Sequence, residues 1–386
     1  MKISAIGMVC VWLGLLCMLC MTSPALACAG LPNVQRNIRT PIPQAVCDAL
    51  VEYKAFLDRA PPSTRTLTFY GGFAGFHDRL RGLYVLFWLA LATKQKISVV
   101  NLFGSKNKWP PQHLQTSWLA AGDVDVLPSV WPSAKDQQDI AILTSSMPHS
   151  CSSLRDLVVA NATDARPFIS TNVYWSLCDV QTRDLFPPAI RSACLSEGCL
   201  GVMFHFLFSY AGQIGQAPLI ASSMLSMLEV GSAKRFAYLL RSGSTRVSFS
   251  GAENVKLTTF GDSVAHEAEI QFLIDNIHRC PPTDVPVIVA SDSALLKAII
   301  SQRARFPTLS CCTNPSHVQS AAASSPHRTI AQMFVDIELI SHATNVLSLG
   351  GGFPALPRFW HSYGRAFNTT RLVPDMPLHA FCPPVS

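Results

Sequence analysis

Short solid apolar runs and helix-period stripes alternate along this chain. Leu67-Thr68-Phe69-Tyr70 reads as a short strand, and residues 83–92 are apolar on every side, as expected of a buried helix. Ile97-Ser98-Val99-Val100 is the next strand, so the unit opens as βαβ. One helix around 45–57 precedes it in a loop-rich lead over residues 28–65. Residues 104–155 carry many Trp, Pro and Ser with little periodicity, which predicts loops with short elements and a functional insertion. An apolar run covers 199–208, and 219–238 reads as a helix with Leu219, Ile220, Met224, Leu225, Leu228 and Phe236 on its stripe.

The polar segment Arg241-Ser242-Gly243-Ser244-Thr245 is the expected link between domains, and a second alternation follows it. Residues 254–259 are strand-like and 265–278 helical; 287–290 form a strong strand, after which Ser291-Asp292-Ser293 caps a helix through Ile300. A strand is expected over 308–311, a helix over 330–340 and a strand over 345–349, which runs into Gly350-Gly351-Gly352-Phe353. The pattern predicts an α/β fold of two Rossmann-like domains facing a cleft, residues 28–240 and 246–386, with ligand loops at strand C-termini.

The N-terminus changes the picture of where this chain works. Lys2, an apolar stretch over 3–21 and Ala25-Leu26-Ala27 describe a secretory signal peptide cleaved after Ala27. The same stretch is also just long enough for an uncleaved membrane anchor. Either way residues 28–386 enter the secretory pathway. Of 13 cysteines, Cys10, Cys17 and Cys20 lie in this leader, and the even remainder permits complete disulfide pairing. Cys194 and Cys199 are close enough for a small loop. Asn161-Ala162-Thr163 and Asn368-Thr369-Thr370 are glycosylation sequons. The net charge of +6 is diffuse, with no Lys/Arg stripe, which argues against nucleic acid and leaves an anionic small ligand.

Candidate chemistry is concentrated in Gly71-Gly72-Phe73-Ala74-Gly75-Phe76-His77-Asp78-Arg79-Leu80-Arg81-Gly82. A glycine cluster between strand and helix lets backbone approach a ligand and frees helix N–H groups for an anion. Arg79 and Arg81 oppose the helix dipole there, so they read as ligand contacts; a solvated arginine pair beside a turn is the plainer alternative. Asp292 follows a strand end, where open α/β sheets place ligand groups, yet it also suits a helix cap. Gly350 to Gly352 occupy an equivalent place and could simply close a turn. Asp123-Val124-Asp125 has metal-pair spacing but is common by chance, so no metal is expected. No serine-hydrolase elbow, Walker loop or His-Glu-x-x-His is present, and His77, His149, His205 and His266 are scattered and read as packed or surface histidines.

The 71–82 run resembles the opening motif of the GDP-fucose-dependent fucosyltransferases, the superfamily of α-1,6- and protein O-fucosyltransferases. In the same order, residues 198–208 resemble its Cys-containing apolar stretch, Val289-Ala290-Ser291-Asp292-Ser293 its strand end, and Asp336-Ile337-Glu338-Leu339-Ile340-Ser341 its Asp-x-x-x-Leu-Ser, with Ile340 in place of the leucine. The resemblance spans roughly 67–360 and implies a GT-B fold, GDP-fucose as donor, a glycan or glycoprotein acceptor, a Golgi-type lumenal setting and no obligatory metal or other cofactor. It implies substrate contacts at Gly71, Gly72, Gly75, Asp78, Arg79, Arg81, Thr259, Asp262, Ser291, Asp292, Ser293, Gly351, Gly352 and Phe353, with Arg79 and Arg81 steadying the diphosphate leaving group. The family's His-x-Arg-x-(Gly/Thr)-Asp strand end has its counterpart in Leu257 to Asp262. Gly261 and Asp262 agree, but Leu257 stands at the histidine and Thr259 at the arginine. A hydroxyl does not replace a guanidinium, so a relative that binds nucleotide sugar without turnover is the alternative to an active transferase.

Overall fold

Two parallel sheets organise the chain. The computed structural model describes residues 28–71, 76–100, 102, 114–116, 140–143, 149–159, 168–173, 178, 182–194, 197–210, 214–227, 236–240, 286–291, 294–304, 307–311, 326–348, 355–364 and 368–371. The first half opens with helices α1 (Pro32–Asn37) and α2 (Gln44–Arg59), then β1 (Thr66–Tyr70), α3 (Phe76–Ala92) and β2 (Lys96–Val100). It continues through β3 (Leu114–Thr116), β4 (Ile140–Leu143), α4 (Ser150–Val159), β5 (Phe168–Thr171), α5 (Pro188–Cys194), α6 (Leu200–Leu207), β6 (Phe208–Tyr210) and α7 (Ala217–Ser226). The second half contains β7 (Phe236–Leu240), β8 (Val287–Ser291), α8 (Ala294–Arg303), β9 (Thr308–Leu309), α9 (Pro326–Ser341), β10 (Asn345–Ser348), α10 (Ala355–Trp360) and β11 (Asn368–Arg371).

The sheet orders are β2-β1-β5-β4 and β11-β10-β7-β8-β9, with every pairing in them parallel; β3 and β6 form a separate antiparallel pair. The α/β class therefore holds. In β1, Leu67 and Phe69 are buried in alternation, and β8 is buried at all five positions, as a central strand with both faces covered requires. α2 presents Val46, Leu50, Tyr53 and Leu57 along one helical stripe to the core, and the Cys28–Cys47 disulfide fastens the N-terminal arm to it. A second disulfide joins Cys151 to Cys178.

Three expectations need correction. Helix α7 ends at Ser226, and Phe236-Ala237-Tyr238-Leu239-Leu240 is a strand, not the end of a helix reaching Tyr238. That strand lies between β10 and β8, so the second sheet begins before the 241–245 segment, and the break set after residue 240 is misplaced. The physical reason is that a solid apolar run fits a doubly covered strand as well as a buried helix. Third, Cys199 is a buried thiol outside any disulfide, so no Cys194–Cys199 loop forms; it precedes α6 within the core.

α6 joins the halves. All eight of its residues are buried, and Phe204 meets Trp360 of α10 with ring centroids 4.3 Å apart and Phe334 of α9 at 6.2 Å. Residues of both halves belong to one continuous apolar core. Gly201 permits the approach: a Cβ there would lie 2.1 Å from the Phe359 carbonyl oxygen and 2.6 Å from that of Trp360. Because those atoms are backbone, Gly201→Ala is expected to cost about 1–3 kcal/mol in denaturant unfolding. An unchanged midpoint would refute this account of the α6–α10 contact.

Candidate functional site

Chain order places the predicted ligand turns. In the first sheet the chain passes from β1 to β2 on one side and returns through β4 and β5 on the other, so strand order reverses at β1/β5. In the second sheet it reverses at β7/β10. Open α/β sheets offer their crevice at such points, outside the strand C-termini. Gly71 is buried directly beyond β1. The Gly350–Gly352 run leaves the C-terminal end of β10. Thus both glycine segments follow strands at reversal points. Gly72, Gly75, Thr259, Asp262, Asp292, Ser293, Gly351, Gly352 and Phe353 themselves lie outside the described residues, as do Asp123 and Asp125.

Gly82 has a packing task rather than a ligand-facing one. A Cβ there would fall 1.6 Å from the carbonyl oxygen of Thr171, the last residue of β5. Its absence lets α3 lie across the end of that strand. At the helix start, Phe76 meets Phe334 of α9 edge-on with centroids 5.9 Å apart. The exit of the glycine turn therefore abuts the second half of the molecule.

Helix geometry separates the two arginines, because residues at i and i+2 do not share a face. Arg79 turns inward and is only 2% exposed. Its Nη1 donates to the Leu102 carbonyl beyond the end of β2, at 3.1 Å, while among the described residues Nε and Nη2 have no hydrogen-bond partner. Burial lowers its pKa to about 10, against the opposing pull of Tyr70 and Asp78. Two buried donors without an acceptor among the described residues are groups that an anion's oxygens would satisfy. Arg81 has a protein partner instead: Nε lies 2.7 Å from Glu197 Oε1, and Nη2 donates to Oε2 at 3.2 Å. Asp78 Oδ1 is 4.0 Å from Arg81 Nη1. His77 is buried with neither ring nitrogen hydrogen-bonded; burial first, then the Arg81 charge, pushes its pKa well below the usual histidine value.

On the second sheet, Ser291 ends β8 in a buried position and α8 begins at Ala294. Lys297 of α8 donates from Nζ to the Cys311 carbonyl at 2.6 Å and lies 3.7 Å from Asp336 Oδ2 of α9. Burial raises the Asp336 pKa to about 7, with Lys297 pulling it down. Among the described residues no group of three or more His, Cys, Asp or Glu could hold a metal, and no helix is long and apolar enough to cross a membrane.

Sequence reasoning missed Glu197 and a buried polar network around Glu338. Tyr210 donates to Glu338 Oε1 at 2.6 Å and Trp360 Nε1 donates to the same oxygen at 3.1 Å. His361 Nε2 lies 2.7 Å from Glu338 Oε2, and its Nδ1 lies 2.8 Å from the Asn37 carbonyl. Both ring nitrogens of His361 therefore face acceptors. Burial opposes the Glu338 charge, but the bonds and charge of His361, the Tyr210 bond and His205 hold its pKa down to about 2. His205 stacks on His361 at 5.4 Å and donates from Nε2 to the Trp360 carbonyl at 3.1 Å. Burial and His361 lower its pKa to about 3, which keeps it neutral and makes it the packed histidine expected. One signal was available: Asp336 and Glu338 are the two carboxylates in the apolar stretch 333–340 of the α9 pattern.

No protein-family model matches the chain, and no curated protein matches it. Among solved structures it is similar to an arginine-to-lysine variant of Arabidopsis thaliana FUT1 in complex with GDP. That match has 13% identity and a TM-score of 0.49, over 84% of this chain and 80% of the other. It is also similar to the fucosyltransferase NodZ from Bradyrhizobium, at 13% identity and a TM-score of 0.43 over 76% and 93% of the two chains. POFUT1 in complex with GDP matches at 11% identity and a TM-score of 0.37 over 81% and 99%. These likenesses concern the course of the chain and assign no residue a role.

Proposed function

We propose that this chain is a GT-B-like glycosyltransferase of the secretory pathway that takes GDP-fucose as donor and a glycan or glycoprotein hydroxyl as acceptor. The observation that carries the reading is the Arg79 guanidinium, sunk beside the β1 turn with two donors unspent. The ordered motif resemblance supports it, as do the glycine segments at both strand-order reversals. The two disulfides suit an oxidising lumen, to which the leader directs the chain through cleavage or as an anchor. In the reaction the bond from sugar C1 to the β-phosphate oxygen breaks while the acceptor oxygen bonds C1 from the opposite face and gives up its proton to water. Negative charge collects on the departing diphosphate, where fixed donors act most strongly in a water-poor site. In this reading Arg79 takes that task, with Gly71 at the end of β1 and Ser291 at the end of β8 as the described neighbours of the ligand.

A second reading has its own observations. Thr259 stands where the resemblance implies an arginine, and Arg81 is held by Glu197. A site with one arginine left for the diphosphate would bind nucleotide sugar and turn it over slowly or not at all. Calorimetry with GDP, followed by a transfer assay with GDP-fucose, separates the two: binding with turnover favours the first, binding alone the second, and no binding refutes both. Under the second reading Thr259→Arg is expected to raise turnover by about 10²–10³; a flat response would remove that explanation of inactivity.

A further inference from the structure

Glu197 is a non-glycine residue at φ 60°, a backbone state that glycine or asparagine adopts more readily, and its carbonyl accepts from Leu200 N at 2.9 Å as α6 begins. Its carboxylate meets Arg81 at two points, 2.7 and 3.2 Å, beside the first turns of α3. Among the described residues Asp78 and Arg358 are the other charged groups acting on it; burial raises its pKa while Arg81 pulls it down, and His77 on the neighbouring turn is held neutral by burial. Two carboxylates and two guanidiniums cancel, so this cluster brings no surplus positive charge to the site. Arg79, on the other face of the helix, is the remaining cation of the turn.

We propose that Glu197 is the charge-selecting residue of the site: by holding Arg81 and keeping a fixed negative charge beside the diphosphate, it favours the nucleotide sugar over the free nucleoside diphosphate. The inference rests on the donor reading above. Free nucleoside diphosphate ends in a phosphate monoester whose second ionisation lies near pH 6, about one unit of charge that the sugar ester lacks. In a partly buried setting a carboxylate resists that extra charge far more than it would in water. The same preference would ease departure of the spent nucleotide after transfer.

The test is calorimetric titration of GDP and of GDP-fucose at pH 8 without acceptor, on the full-length protein and on Glu197→Gln. The glutamine keeps the side-chain shape and removes the charge. GDP affinity is expected to rise about tenfold and GDP-fucose affinity by less than about threefold. Glu197→Gly, which accepts the positive φ without strain, is expected to shift the pair in the same direction and controls for misfolding of the first variant. Equal shifts for both ligands, no shift, or weaker GDP binding overturns the charge-selection role while leaving the donor reading standing. If the unaltered protein binds neither nucleotide, the donor reading and this inference fall together.

Discussion

Replacing Glu338 by alanine is expected to lower the unfolding free energy by about 3–5 kcal/mol, because it removes the buried partner of His361, 2.7 Å away. The carboxylate accepts from His361, Tyr210 and Trp360, so its loss also leaves the hydroxyl and the indole N–H without that acceptor. Urea unfolding of wild type and variant measures the cost; a loss under about 1 kcal/mol would mean that the pair is not formed. The pH dependence gives a second reading. Glu338 has a folded-state pKa of about 2 against a usual 4.5, so its contribution is fully present above pH 4.5 and is lost as pH falls toward 2. The stability gap between wild type and Glu338→Gln should therefore stay level above that window and close within it. A gap that widened on acidification would contradict the assignment.

Arg79→Met is expected to weaken GDP binding by about 10- to 100-fold while leaving the fold as stable as wild type or more so. The two effects have opposite physical origins. Nε and Nη2 are desolvated without partners among the described residues, which costs the ligand-free protein stability that methionine of similar length does not spend. With a diphosphate bound, the same donors become charge-assisted hydrogen bonds. Arg79→Lys keeps the charge and loses the planar fork, so it should recover only part of the affinity. Thermal unfolding run beside calorimetry decides the matter: a destabilised variant with unchanged GDP affinity would make Arg79 a structural residue.

Much of the architecture was legible because local pattern and tertiary role agreed. The apolar α3 run, the buried β8 and the α9 stripe each read correctly, since burial on every side or along one stripe leaves a direct imprint. β7 did not, because Phe236 to Leu240 is equally apolar in either conformation and only its neighbours β8 and β10 decide. The candidate site was legible at its glycine turn and less so at its charges. Arg79 and Arg81 look alike in sequence, yet the partner of Arg81 lies 116 residues away and that of Glu338 lies 23 away, just past the end of α10. Pairings of that kind depend on packing, which no spacing rule encodes.

The dependence of His361 on Asn37 also has a temporal side. The carbonyl that accepts from Nδ1 belongs to α1, 324 residues earlier in the chain, and Arg39 N donates back to the His361 carbonyl. At synthesis rates of roughly 5–20 residues per second, the arm emerges about 15–65 s before its binding place exists. Cys28 and Cys47, separated by 19 residues, can join long before then. An early crosslink would moor the waiting arm to α2 until the last helix arrives, so reducing conditions during biosynthesis should harm maturation more than they harm the finished protein.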